Sequence, residues 1–114
     1  MRITVLDNDR SQADLICQVL TAAGHSCQSW DSGKDMLAHL RKDSTDMLIL
    51  DWQVADMSGV DVVRRAREKM PAHTPVMFVT SSSGEDDIVA GVGAGASDYM
   101  IKPLRRGELV ARVQ

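Results

Sequence analysis

The stretch that most constrains the fold is Asp46 to Gly59, DMLILDWQVADMSG. Four consecutive apolar residues, Met47 to Leu50, run directly into a carboxylate, Asp51. So short and uniform an apolar run, bounded by polar residues, reads as a strand covered on both faces, the kind found inside a parallel sheet. Parallel strands need crossover connections, which commits the rest of the chain to alternating strands and helices. Asp51 then stands at the carboxyl end of its strand, where open α/β sheets bind ligands. Trp52 to Ser58 read as a loop, and Gly59 opens a helical segment. A lone carboxylate at such a place also fits a helix cap or an ordinary loop residue.

The remaining sequence supplies the alternation. Arg2 to Leu6 is a β-rich run ending in Asp7-Asn8-Asp9. A helical stripe follows in Ala13, Ile16, Val19, Leu20 and Ala23, with Asp9 or Ser11 able to cap it and Gly24 to stop it. Ser26 to Trp30 reads as a second strand, and Asp31-Ser32-Gly33 as a turn and cap. A second helix, Lys34 to Arg41, carries Met36, Leu37 and Leu40. The third helix places Val60, Val63, Ala66 and Met70 at helical spacing. Pro71 and Pro75 punctuate the way to a fourth strand, Val76 to Val79, which ends in Thr80. Glu85 to Ala94 is helical but weak, because Gly91 and Gly93 each cost about 1 kcal/mol relative to Ala. Ser97 to Ile101 is a fifth strand, and after Lys102-Pro103 a last helix starts at Arg106.

Five strands alternating with five helices, joined by right-handed crossovers, predict an α/β doubly wound parallel sheet of order 2-1-3-4-5, flavodoxin-like, in a single domain over residues 1–114. The last helix has about two turns before Gln114, marginal without tertiary packing. The natural protein, or at least this helix, is expected to continue.

Composition excludes several classes. The net charge of −3 gives no electrostatic footprint for direct nucleic-acid binding by this domain. No segment approaches the roughly 20 apolar residues of a membrane span, and MRITVLDND is a strand start rather than a signal peptide, so a cytoplasmic location with no membrane contact is expected. Cys17 and Cys27 lack metal-ligand spacing and are expected to be reduced, buried thiols. His25, His39 and His73 are scattered, and Arg64-Arg65-Arg67 reads as a solvated helix face.

In the predicted topology the ends of strands one, three, four and five converge, delivering Asp7 with Asn8, Asp51, Thr80 and Lys102. Clustered oxygen ligands suit Mg²⁺, a hard cation that favours phosphate as a co-ligand. A hydroxyl and an ammonium beside it can bind the other oxygens of a phosphoryl group. The set therefore reads as a site for phosphoryl transfer to a carboxylate, with Asp51 the nucleophile.

The motifs LDND, LILDWQVADMSG, FVTSS and GASDYMIKP together resemble a response-regulator receiver domain over essentially the whole chain. The tail KPLRRGELVARV is most similar to the OmpR/PhoB-type branch, whose receivers precede a winged-helix DNA-binding domain. The resemblance implies that Asp51 accepts a phosphoryl group from a sensor histidine kinase, a phosphotransfer protein or a small donor, in a Mg²⁺-dependent reaction. The domain would assist its own modification without being a turnover enzyme. Asp7 and Asn8 would hold Mg²⁺ together with Asp51 and the backbone carbonyl of Gln53. Thr80 would be the switch hydroxyl, Tyr99 the switch aromatic, and Lys102 the partner of the phosphoryl group and of unmodified Asp51. The implied output is a homodimer through the fourth helix, fifth strand and fifth helix, controlling transcription. On that face Asp98 and Arg112 match one acid–base pair. Glu108 matches the acidic half of another, whose basic position is Ile88 here.

Three residues depart from the family pattern. Asn8 replaces a carboxylate by an amide, Ala55 stands in place of proline, and Ser81 follows Thr80, where its hydroxyl can add a phosphate contact or cap a helix. Two other readings stand beside the first. Asn8 suits a degenerate receiver that works as a phosphorylation-independent interaction module. Asp7-Asn8-Asp9-Arg10-Ser11 also fits the opening motif of haloacid-dehalogenase-type phosphohydrolases, with Asp7 the nucleophile.

Overall fold

Side-chain alternation along the central strands sets the layers of the molecule. The computed structural model describes residues 1–42, 44–51, 53–54, 56–71, 73–80, 93, 97–102 and 104–113, without the side chains of residues 41, 53, 54 and 80. The elements run β1 (Arg2–Leu6), α1 (Arg10–Ala22), β2 (Ser26–Trp30), α2 (Gly33–Lys42), β3 (Met47–Leu50), β4 (Gln53–Val54), β5 (Met57–Ser58), α3 (Gly59–Arg67), β6 (Val76–Thr80), β7 (Asp98–Ile101) and α4 (Arg106–Val113). Four helices thus lie among the described residues. The helix expected over Glu85 to Ala94 falls outside them except at Gly93, which is helical. Ala55, Ser81, Ile88 and the Thr80 hydroxyl also fall outside.

The five-stranded sheet has the order β2-β1-β3-β6-β7, parallel throughout. This is the doubly wound order expected from the sequence. Leu6, Leu48, Leu50, Val76 and Phe78 face one side, where they pack with Met36, Leu37 and Leu40 of α2 and Val62, Val63 and Ala66 of α3. Ile3, Val5, Met47, Ile49, Met77 and Val79 face the other, against Ile16, Val19 and Leu20 of α1 and Leu109 and Val113 of α4. Every residue of β3 is buried, as its unbroken apolar run requires.

Local signals explain the helix ends. The Asp9 carboxylate caps α1 by accepting from the Ser11 and Gln12 amides. Gly24, at φ +98°, takes the left-handed conformation that ends it. Ser58 caps α3 by accepting from the Asp61 amide at 3.2 Å. The buried stripe of α3 is Gly59, Val62, Val63 and Ala66. Val60, expected in the core, is only half-buried. The expected Val63, Ala66 and Met70 are buried, and Gly59, a residue without a side chain, takes the place expected of Val60.

The segment expected as a plain loop, Trp52 to Ser58, contains a small antiparallel ladder, Gln53 with Ser58 and Val54 with Met57. Its turn presents Asp56 to the start of α2. There the carboxylate accepts from the Ser32 hydroxyl at 3.1 Å, the Gly33 amide at 3.0 Å and the Lys34 amide at 3.1 Å. The Gly33 amide, foremost among these donors, holds Asp56 below its ordinary carboxylate value. A tertiary carboxylate thereby joins Ser32 in capping α2 and ties the chain after β3 to that helix.

Candidate functional site

The parallel ladder continues one residue beyond the strands and fixes two carboxylates at the carboxyl edge of the sheet. The Asp7 amide donates to the Trp30 carbonyl at 3.0 Å, and the Asp51 amide to the Leu6 carbonyl at 2.8 Å. Lys102 leaves the end of β7, whose last residue, Ile101, pairs with Thr80 of β6. Its ammonium reaches past the end of β6 to both acids, donating to Asp7 Oδ2 at 2.9 Å and Asp51 Oδ2 at 3.2 Å. Residues separated by up to 95 positions meet in this one cluster.

Burial makes the cluster electrostatically strong. The side chains of Lys102, Asp7 and Asp51 are 16, 1 and 12 % exposed. Asp7 Oδ1 also accepts from the Asp9 amide at 2.9 Å. Burial pushes the Asp7 carboxyl above its ordinary value, although the Asp9 amide and Lys102 both oppose it. Burial also works against the Lys102 ammonium, but the hydrogen bond to Asp7 and the charges of Asp51 and Asp7 outweigh it, so Lys102 is raised. With both acids ionised, two carboxylates share one ammonium and the crevice retains negative charge. A hard cation would relieve this.

Among the described residues no group of three or more His, Cys, Asp and Glu side chains is poised for a metal. A cation here would be held by two carboxylates, neutral oxygens and water, a donor set that suits Mg²⁺. Asn8, next to Asp7 in the chain, is exposed, and Gln53 opens β4 two residues after Asp51. Asp9, the nearest further acid in sequence, is engaged in capping α1. A cleft of about 270 Å³ borders Asp7 and is lined by Arg10, Ser29, Trp30, Asp31 and Asp35.

The structure therefore brings together Asp7, Asp51 and Lys102 and puts the Thr80 backbone beside the strand that carries Lys102. Tyr99 is half-buried on β7, its ring centroid 6.0 Å from that of Phe78. Asp98, Glu108 and Arg112 meet separately on β7 and α4. Arg112 Nη1 bonds both Asp98 oxygens, at 2.9 and 3.0 Å, and its Nε bonds Glu108 at 3.2 Å. Asp56 is the positioning residue that sequence reading misses. Nothing local signals it, because its partners lie more than twenty residues upstream.

Comparison with known proteins agrees with this architecture. The family model described as the response regulator receiver domain matches residues 3–114. The transcriptional regulatory protein TrcR of Mycobacterium tuberculosis is 32 % identical over 114 residues, covering 100 % of this chain and 44 % of TrcR. The DNA-binding response regulator MtrA of Mycolicibacterium paratuberculosis is 34 % identical over 113 residues, covering 99 % of this chain and 49 % of MtrA. The chain thus spans about half the length of the curated relatives it matches. The crystal structure of a two-component response regulator from Clostridium difficile superposes with a TM-score of 0.94 at 21 % identity, covering 99 % of this chain and 92 % of that one, a likeness of fold. Receiver domains use Mg²⁺ at their phosphorylation site. By its family match the chain belongs to the response regulator receiver domains of two-component phosphorelays, related to the OmpR/PhoB-type regulators, which are phosphorylated on an aspartate, change conformation to control an output and act as phosphoacceptors rather than turnover enzymes.

Proposed function

We propose that Asp51 is the phosphoacceptor and that residues 1–114 form a single receiver domain acting in the cytoplasm. The observation that carries this reading is the Lys102 ammonium bonded to both Asp7 and Asp51 at the ends of three parallel strands. Asp51 is favoured over Asp7 by access. The Asp7 side chain is 1 % exposed and accepts hydrogen bonds on both oxygens, whereas the Asp51 side chain is 12 % exposed. The same contrast speaks against a phosphohydrolase that uses Asp7 as nucleophile.

Asp7, Asp51, the Asn8 amide oxygen and the Gln53 backbone carbonyl would hold Mg²⁺, which supplies charge neutralisation when bound. An Asp51 oxygen attacks phosphorus. The bond to the donor breaks, and the leaving group departs with its electron pair. The new phosphoryl group draws Lys102 away from Asp7, with the Thr80 and Ser81 hydroxyls as further donors. Because Lys102 follows β7 directly, this exchange would bias the strand that carries Tyr99. Intact-protein mass after incubation with acetyl phosphate and Mg²⁺ tests the reading, and a gain of one phosphoryl group is expected. An unchanged mass at saturating Mg²⁺ would instead favour the phosphorylation-independent interaction module, the reading that the missing charge at Asn8 supports.

Asn8→Asp restores one negative charge to the metal site and is expected to tighten Mg²⁺ binding roughly tenfold. Tryptophan fluorescence followed against Mg²⁺ measures it. Equal affinities would remove Asn8 from the ligand set.

The kinase or phosphotransfer protein would be the partner upstream, and a homodimer through the segment over 85–94, β7 and α4 the output downstream, controlling transcription through a following domain. Arg112 already bonds Asp98 and Glu108 within one chain, so dimerisation would exchange these exposed pairs rather than add to them. Ile88 also stands where a basic residue would anchor Glu108. Dimerisation on activation is therefore expected to be weak. Sedimentation of the full-length protein with and without beryllofluoride checks it, and an activated protein that stays monomeric at high concentration excludes this output.

A further inference from the structure

Cys17 of α1 and Cys27 of β2 lie with their sulfurs 2.7 Å apart. Both are free thiols, half-buried, and packed against the core on the α1 side of the sheet. β2 is an edge strand of the sheet, and among the described residues no further strand covers this pair. Less than 1 Å of movement separates the sulfurs from a bonded distance of about 2.05 Å. The sequence alone does not suggest the pairing, because it arises only when α1 folds back along β2.

We propose that Cys17 and Cys27 are a reversible disulfide site that staples α1 to the edge strand β2, with a hydroperoxide as oxidant. The site goes beyond the phosphoacceptor reading and shares no residue with the Asp7, Asp51 and Lys102 cluster. Cys17 reacts first. The Cys27 thiol donates to it and lowers it, against burial and the nearby Asp14 charge, while the same bond and burial raise Cys27. The Cys17 thiolate attacks one peroxide oxygen. The O–O bond breaks, and the departing hydroxide, or the alkoxide from an organic peroxide, takes a proton and leaves as water or as the alcohol. The Cys27 sulfur then attacks the Cys17 sulfenic acid, the S–S bond forms, the S–O bond breaks, and water leaves with the Cys27 proton. The dithiol loses two electrons and the peroxide gains them. A thiol reductant reverses the change, as expected of redox-sensing pairs in reducing compartments.

The test is treatment of the protein with hydrogen peroxide, followed by intact mass, non-reducing peptide mapping and thermal melting. The expected product has lost the mass of its two thiol hydrogens and yields one peptide joining Cys17 to Cys27. Its Tm is expected to rise by about 5 °C or more, because the bond closes a short loop in the unfolded chain. Dithiothreitol should restore the starting mass and Tm. In Cys27→Ser, Cys17 should stop at a sulfenic acid that dimedone traps, and in Cys17→Ser oxidation of Cys27 should slow at least about tenfold. Oxygen adducts on separate cysteines without a crosslink, or a disulfide between two chains, would overturn the proposal. All three readouts are independent of phosphorylation.

Discussion

Asp51→Asn is expected to take up no phosphoryl group from acetyl phosphate and Mg²⁺ under conditions in which the unaltered protein gains one. The amide has no anionic oxygen to attack phosphorus, so the loss in rate should be roughly a thousandfold or more, about 4 kcal/mol of barrier. The substitution is nearly isosteric, and the Asp51 amide bond to Leu6 that fixes the backbone is untouched. Asp7→Asn provides the contrast. It removes a proposed metal ligand but leaves the proposed nucleophile, so uptake should persist at raised Mg²⁺ at a reduced rate. Intact mass and acid-stability of the adduct read both variants. Full-yield modification of Asp51→Asn, or its abolition only in Asp7→Asn, would assign the chemistry to the wrong carboxylate here.

The parts of this site that were legible in the sequence are those fixed by strand ends. An unbroken apolar run such as Met47 to Leu50 identifies a buried parallel strand, and whatever polar residue follows it must stand at the sheet edge. The same logic places Asp7 and Lys102, and the structure joins all three. Where signals are two residues long they fail. The β4 and β5 pairing has no periodicity to read, and the capping role of Asp56 depends on where α2 begins. On α3 the apolar spacing finds Val63, Ala66 and Met70 but puts Val60 in the core where Gly59 leads the buried stripe. The proximity of Cys17 and Cys27 belongs to the packing of a helix on an edge strand, which no linear spacing encodes. The apposition of Asp98 and Arg112, anticipated as a contact between two chains, is satisfied within one. An arginine fork chooses the nearest carboxylate, and sequence does not tell whether that carboxylate is in its own chain.

Removing the ammonium should have the largest effect on the fold. In Lys102→Ala the Asp7 and Asp51 carboxylates remain, almost wholly shielded from water, without the cation that now bonds both. Leaving such charges unpaired is expected to cost about 2–4 kcal/mol at neutral pH without Mg²⁺. For a chain of this size that corresponds to a Tm lower by about 8–15 °C. The pH dependence has a definite sign. Asp7 already lies above its ordinary value because of burial, and Lys102 is one of the influences holding it down. Without Lys102 it rises further. A carboxyl raised on folding contributes stability that is present below its unfolded value, about 3.9, and lost as pH rises through the raised value. The variant should therefore approach the unaltered protein in stability at acid pH and fall behind it towards neutrality. Mg²⁺ should close the gap, because a crevice one charge more negative binds the cation more tightly, roughly tenfold. Phosphorylation should remain possible, since Asp51 keeps its oxygens, but without the ammonium the phosphoryl group loses its link to β7 and activation should no longer promote dimerisation. Melting curves across pH, with EDTA and with Mg²⁺, measure the first part and sedimentation with beryllofluoride the second. Equal Tm values for the two proteins at neutral pH in EDTA would show that Lys102 does not compensate the acids.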